Sequence, residues 1–447
     1  TVTITSRPVQ TYAYTEEQKQ QAKSWLSAHG YPPTRAGAEQ AYQDYMDGKI
    51  DVPEADAYLG RNKQKKIEEK KNSTSTTNKT SQKTGSEDTT DTKNTDTKNT
   101  DTKNTESQTS ATSETTTTTT EKTVTTETKE QQKQKEEKKK EEAEVNFTIS
   151  FAGDCTLGNY AGQANDGSFN QEYQRQGKDP TYFLKKVKDV FEKDDLTVVN
   201  LEGPLTTASN HLEKEFPFSG NPEYTKILTS SSVEAVTLAN NHSEDYYEAG
   251  LQDTKKYLDE ASIGHFGYDE NYIREIKGIK CGFLGYRSLS LSMNNEKGRQ
   301  QIQEAINHLK NDEKCQLVFV YYHWGIERQY QANDDQRSLA KFTIDAGADA
   351  VIGSHPHVVQ GTETYNGKPI VYSLGNFCFG GNRNPSDTDT MIYQLSYSFK
   401  GTTQTGYQVQ IIPCSLTSSR GRNDYQPYIL QDEQASRVKE KIKKYSY

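Results

Sequence analysis

The sequence predicts an α/β layered domain over residues 145–447, and three observations carry that expectation. Short apolar runs, read as strands, alternate with helical stretches, the pattern of a layered α/β domain. Those runs end repeatedly in Asp, Glu, Asn or His. In open α/β sheets the chemistry gathers just beyond the carboxyl ends of the strands, where all of these polar residues fall.

The strands come in order along the chain. NFTISFAGD alternates apolar and polar residues from Asn146 and opens the body. LTVVNLEG (196–203), AVTLANNH (235–242), CGFLGYR (281–287), CQLVFVYYHWG (315–325), ADAVIGSHPH (348–357) and KPIVYSLGN (368–376) follow. Helices are expected at Thr181 to Glu192, Gly250 to Glu260, Gly298 to Lys310 and Asp335 to Ala346.

Two further parts precede the body. Residues 1–71 read as a small helical module. Thr15-Glu16-Glu17-Gln18 forms a capping box, and Ala22, Trp25, Leu26 and His29 recur at helical spacing until Gly30 and Pro32-Pro33 stop the helix. Ala38, Ala41, Tyr42, Tyr45 and Met46 form a second stripe, stopped by Gly48, and Pro53 opens a third helix. Such a stripe is first a packing surface, and the sharper alternative is a wall- or partner-binding module. Residues 72–144 are a linker. Its Thr, Ser, Lys, Asn, Asp and Glu include DTKNT three times from Asp91 to Thr105. Nothing there buries apolar surface, so disorder is expected, with a solvated Lys/Glu helix from residue 129.

The bulk numbers agree. The 447 residues have room for two or three domains, but only 31% are hydrophobic and the mean hydropathy is −0.99, low for a fully packed chain. A net charge of −9 argues against nucleic acid as a partner. Cys155, Cys281, Cys315, Cys378 and Cys414 are too sparse for a disulfide scaffold and contain no Cys-x-x-Cys pair; one oxidised pair stays open, and the odd count leaves a free thiol. No stretch reaches the ~20 apolar residues of a membrane span. Thr1 is not a translation start, so a signal or anchor segment, or other upstream sequence, is expected to precede it.

The candidate site is Asp154, Glu202, Asn241-His242, His323, His355 and His357. Each has an ordinary explanation: a turn carboxylate, a surface acid, a loop imidazole bonded to backbone. Together they point to metal-dependent hydrolysis. Four of the seven histidines in the body lie in these loops, and neutral imidazole is a common ligand for zinc, manganese and iron. Cys155, next to Asp154, should point to the opposite face and belong to the core. Glu327 and Arg328, just past His323, and Asn376 in SLGN are read either as substrate-positioning groups or as plain surface charges and a turn amide.

FAGDCTLG, NLEGPL, LANNHSED, HWGIE, GADAVIGSHPHVVQG and VYSLGNF together resemble the CapA family of poly-γ-glutamate capsule-synthesis proteins, over residues 146 to 415. That family looks like the calcineurin-type metallophosphoesterases. The resemblance implies a four-layer sandwich and two divalent cations (Mn, Zn, Fe or Mg). Asp154 would hold the first cation and Glu202 would bridge in place of the usual Asp. Asn241, His323 and His355 would hold the second, and His357 would return to the first. His242 would donate a proton to the leaving group, oriented by Glu244 or Asp245. Two positions depart from the phosphoesterase pattern. Thr156 replaces the His of the first motif, leaving the first cation short of a ligand, and Ser243 replaces the acid after Asn-His.

Three functions follow as expectations. The first is a hydrolase acting on a phosphoester or another ester or amide of the cell envelope, linked to capsule or poly-γ-glutamate metabolism. The second is an accessory protein that binds polymer during capsule assembly or export, alongside capsule-synthesis membrane proteins. The third is a surface adhesion or wall-binding protein working through residues 1–71. The stalk-like linker and the family both imply an extracellular or cell-surface location.

Overall fold

A computed structural model describes residues 144–289 and 292–447, together with residues 23–32 and Thr34, Gly37, Gln40, Ala41 and Asp44. The chain divides into two units, one of residues 1–50 and 137–447 and one of residues 51–136. The expected linker lies outside the described residues, as does most of the N-terminal module. Where that module is described, residues 23–28 are helical and Leu26 is buried. His29 stacks on Trp25 with ring centroids 4.0 Å apart, and Gly30 leaves the helix at φ 79°.

The body is mixed α/β, built on two large sheets. At the centre of the first is β1 (Glu144–Thr156). On one side β3 (Leu196–Leu201), β5 (Ala235–Thr237) and β6 (Gly264–Phe266) run parallel to it in succession. On the other, β14 (Asp389–Lys400), β15 (Thr403–Ser415) and β16 (Tyr428–Ile429) add antiparallel strands. The short β13 (Asn376–Phe379) pairs in parallel with the end of β1. The second sheet runs in the order β11 (Thr362–Tyr365), β12 (Lys368–Val371), β10 (Ala350–Ser354), β9 (Leu317–Trp324), β8 (Ile279–Ser288), β7 (Tyr272–Ile276). A separate two-stranded sheet joins β2 (Asn159–Tyr160) to β4 (Phe218–Ser219).

Three buried clusters separate the layers. One contains Phe151 and Val198 of the first sheet with Phe283, Phe319 and Ile352 of the second, so the two sheets pack face to face. A second joins Val199 and Val236 to Phe169 of α1 (Phe169–Arg175), Leu228 of α3 (Thr225–Thr229) and Leu258 of α4 (Tyr247–Glu260). The third joins Val318 and Val320 to Ile302 of α5 (Glu296–Asn307) and Leu339 of α6 (Asp334–Asp345). Alternation along β9 produces this: Leu317, Phe319 and Tyr321 face the other sheet, and Val318, Val320 and Tyr322 face the helices. Each such side chain contributes about 1.5–3 kcal/mol on burial.

Every expected strand is present. The helix expected at Thr181 to Glu192 is not continuous. A 3₁₀ turn at Pro180–Tyr182 and the one-turn α2 (Lys188–Phe191) replace it, because Val187 sits at φ −121°, outside helical geometry. The β14–β15 hairpin, α1, α3 and the C-terminal α7 (Asp432–Lys444) were not anticipated. All five cysteines are buried free thiols, so the oxidised pair left open is not formed.

One irregularity positions the site. Along β1, Phe151 faces the other sheet and Ala152 faces the helices, so strict alternation would also turn Asp154 to the helices. The register shifts between Ala152 and Asp154, and Cys155 takes the helix-facing position instead. Gly153 permits this, since a Cβ there would lie 1.8 Å from the Gly375 carbonyl oxygen.

Candidate metal centre

The site is built from the carboxyl ends of β1, β3, β5, β9 and β10 and the loops that follow them, with Asn376 at the start of β13. Glu202 is its hub. It is fully buried, and among the described residues no hydrogen-bond donor reaches either carboxylate oxygen. Three imidazoles surround it instead: Oε1 lies 3.6 Å from His323 Nε2 and 3.9 Å from both His242 Nε2 and His357 Nε2. Ligand atoms of Glu202, His355 and His357 all lie within 4.8 Å of one another. Burial, then the nearby Asp154 charge, pushes the Glu202 carboxyl well above its usual range.

Around this hub two groups of donors converge. In the first, His323 Nε2 lies 2.6 Å from Asn241 Oδ1 and 3.0 Å from His355 Nδ1. Ligands bonded at about 2.0–2.2 Å to one small cation stand roughly 3 Å apart, so these spacings suit a shared ion. In the second, His357 Nδ1 lies 3.3 Å from Asp154 Oδ2 and 2.8 Å from Asn376 Oδ1. His355 and His357 both adopt left-handed backbone (φ 96° and 56°), which is uncommon for such residues and clusters at functional sites.

The electrostatics separate the histidines. His323 and His355 are held well below the ordinary imidazole range, first by burial and then by neighbouring imidazoles, so both stay neutral and able to ligate. Burial acts the same way on His357, but the Glu202 and Asp154 carboxylates outweigh it and hold the ring at about 10. Within the protein, His357 is thus the cation that the two acids attract. His242 is lowered to about 4, first by burial and then by the Lys214 charge, against the pull of Asp245.

Hydrogen-bonding partners behind the donors fix these groups in place. His242 Nδ1 lies 2.7 Å from Asp245 Oδ2, which also accepts a 2.6 Å bond from the Phe218 amide. Of the two acids that the sequence left open to orient His242, Asp245 therefore does so. Lys214 Nζ sits 2.5 Å from Asp245 Oδ1 and 3.2 Å from the Asn241 carbonyl oxygen. Asn200 donates to Asp154 Oδ1 at 2.7 Å, lies 3.1 Å from His323 Nδ1, and accepts from Asn240 at 3.0 Å. The fit to a cation is good: a buried acid without donors among the described residues, neutral imidazoles, and donor side chains held in place by the hydrogen bonds of Asn200, Asp245 and Lys214.

Asp154, Glu202, Asn241, His242, Asp245, His323, His355, His357 and Asn376 are thus brought together. Glu327 is exposed, yet close enough for its charge to act on Glu202 and His357. Arg328 is also exposed and contributes its backbone amide, which donates to the Pro356 carbonyl oxygen at 2.7 Å. Thr156 is buried beside Asp154 with no partner for its hydroxyl among the described residues. The sequence reading missed Asn200, Asn240, Lys214 and Arg287. Asn200 precedes Glu202 by two and Asn240 precedes Asn241, so an amide beside each chosen ligand was a visible signal. Lys214 carried none. Arg287, in register with His323, adds a positive charge that helps hold His323 and His355 neutral, and was visible only as the end of a strand.

The profile of the family described as bacterial capsule synthesis protein PGA_cap matches residues 148–381. The chain is 32% identical over 253 residues to the PGA biosynthesis protein CapA of Bacillus subtilis (strain 168), which covers 52% of this chain and 62% of that protein. It is 30% identical over 256 residues to the capsule biosynthesis protein CapA of Bacillus anthracis, covering 52% and 59%. A probable polyglutamine synthesis accessory protein of Mycobacterium tuberculosis (strain ATCC 25618 / H37Rv) is 24% identical over 208 residues, covering 41% and 55%. The chain therefore spans about three-fifths of the length of its curated Bacillus relatives.

Proposed function

The chain belongs to the PGA_cap family of bacterial capsule synthesis proteins, and from that premise we propose that its body is a metal-dependent hydrolase of the calcineurin-like metallophosphoesterase type. It acts on a phosphoester of the cell envelope, in capsule or poly-γ-glutamate metabolism, at the cell surface. The observation that carries this reading is Glu202, buried without a donor among imidazoles held in ligating form. Asp154, Glu202 and His357 would hold one divalent cation, and Glu202, Asn241, His323 and His355 a second. Such a pair, when bound, activates water and neutralises charge on phosphoryl oxygens.

The protein's own groups do the rest. Asp245 fixes the His242 ring, and Lys214 fixes Asp245. Because His242 is held neutral, it acts as a proton donor only once an anionic substrate raises its proton affinity; a general acid of this kind contributes roughly 10²–10⁴-fold. His357 must give up its proton to become a ligand.

Binding of an envelope polymer without turnover is the second reading, and Thr156 favours it. Its unpartnered hydroxyl stands where phosphoesterases carry an imidazole, which weakens the first cation site. Metal content and turnover of p-nitrophenyl and bis-p-nitrophenyl phosphate, in wild type and His323→Ala, separate the two. About two metals per chain and turnover lost in the variant support the hydrolase. One metal or none, with no turnover across several divalent ions, would falsify it and leave the binding role.

A further inference from the structure

Beside His242 lies a set of aromatic rings that the cation chemistry does not require. The Phe218 ring is 4.5 Å from the His242 ring and 6.0 Å from Phe379, and Phe379 is 5.2 Å from His357. Phe218 also meets Tyr160 at 6.1 Å, and Tyr160 meets Phe216 edge-on at 5.1 Å and 81°. The series is continuous. It starts at two histidines of the site, passes through buried Phe218 and Phe379 and half-buried Tyr160, and ends at Phe216, 41% exposed.

The frame behind these rings is closely packed. Tyr160 and Phe218 are paired on β2 and β4. Around that pair, backbone segments approach so closely that only glycine fits. A Cβ at Gly158 would lie 2.1 Å from the Ser219 oxygen, one at Gly220 1.9 Å from Leu157 oxygen, and one at Gly380 2.0 Å from Gly158 oxygen. At Gly381 it would strike the Phe218 and Phe379 rings at 2.7 Å. Glycine at these positions sacrifices chain entropy to hold the rings in place.

A second observation is independent of the first. Among the described residues only four large hydrophobic side chains are exposed: Phe216, Ile326, Val409 and Tyr447. Phe216 is two residues from Lys214, which is bonded to Asn241 and Asp245. Ile326 is three residues from His323. Half of the exposed apolar side chains therefore sit on loops that carry site residues, rather than being scattered over the surface.

We propose that the Phe216–Tyr160–Phe218 wall is a subsite for a ring with an apolar face, borne on the leaving group of the substrate next to His242. Stacking against aromatic faces suits both an aryl ring and the C–H face of a sugar. This deepens the hydrolase reading and rests on it for the identity of the reacting group. Placing the ring beside His242 puts the departing oxygen next to the group that would protonate it.

The test is ligand binding by saturation-transfer NMR and titration calorimetry, on the full chain with Mg²⁺ or Zn²⁺. The probes are p-nitrophenyl phosphate, glucose 1-phosphate and the acyclic glycerol phosphate. Ring protons should receive transfer, and Phe216→Ala should weaken the ring-bearing ligands about three- to tenfold, the size of one aromatic contact. Glycerol phosphate should change less than about twofold on the same scale. Phe216→Trp should restore ring binding, which guards against a trivial folding defect. The aryl and glycosyl arms tell which ring is preferred. Equal weakening of all three ligands, or ring ligands that bind no tighter than glycerol phosphate, would overturn the subsite while leaving the phosphoester reading intact. Phosphate-free p-nitrophenol or methyl glucoside contacting the wall, with no gain from the phosphate, would support the subsite and sink the phosphoester reading.

Discussion

The amino and carboxyl ends of the central strands hold buried carboxylates in opposite conditions. Asp349 stands at the amino end of β10, six residues before His355, which follows the other end. Its Oδ2 accepts from Lys310 at 2.5 Å and from the Val318 amide at 2.8 Å, and its Oδ1 accepts from Lys368 at 2.7 Å. Glu202, at the carboxyl end of β3, has no donor among the described residues. A buried carboxylate with two lysines and an amide is structural. One with no donor, facing imidazoles, is unsatisfied by the protein itself and is costly unless a ligand completes it. Asp194, at the amino end of β3, falls between: one oxygen accepts from Thr197 Oγ1 at 2.7 Å and the other has no partner among the described residues.

Exchanging the charge at each end tests this contrast. The largest effect is expected at Glu202. Glu202→Gln should weaken divalent-metal binding by at least about 100-fold, while the metal-stripped protein melts no lower than wild type. The reverse is expected of Asp349→Ala. It should lose about 3 kcal/mol in urea unfolding, because two cations and an amide lose their partner, with metal affinity unchanged. If Glu202→Gln unfolded as readily as Asp349→Ala, Glu202 would be a structural acid and the contrast would collapse.

A pH titration sharpens it further. The His357 ring is raised from 6.5 to about 10, so it carries a proton at neutral pH and must release it to ligate. Metal affinity should therefore rise with pH, by about tenfold per unit between pH 7 and 8.5, with proton release seen in calorimetry in buffers of different ionisation heat. A flat affinity over that range would show that His357 is not a ligand.

The smallest effect is expected at Asp194, raised from 3.8 to about 7, first by burial. The unfolded chain loses this proton near pH 4 and the folded chain only near pH 7. The resulting destabilisation is absent below pH 4, grows between these values and is complete above pH 7. Asp194→Asn should raise the free energy of unfolding at pH 8 by about 1 kcal/mol after allowance for solvent screening, and change it little at pH 4, as read by urea unfolding. An equal effect at both pH values would place the cause in packing, not charge.

The sequence by itself determined the strands that lead into the site, the order of the polar residues after them, and the family. Apolar runs of strand length are local signals, and Asp154, Glu202, Asn241, His323, His355 and His357 each follow such a run. It did not reveal Lys214, whose partners Asp245 and Asn241 lie about thirty residues away by sequence number, in a loop without periodicity. Nor did it separate Asp245 from Glu244, since both are acids near His242 and only the packing of Phe218 against that ring selects one. The direction of Asp154 was likewise a tertiary outcome, because a register shift at Gly153 reverses the alternation that sequence reasoning relies on. Which histidine is charged was also undecided until folding. All four rings are chemically the same, and burial together with the distances to Glu202 and Asp154 makes His357 the proton carrier and leaves His323 and His355 neutral.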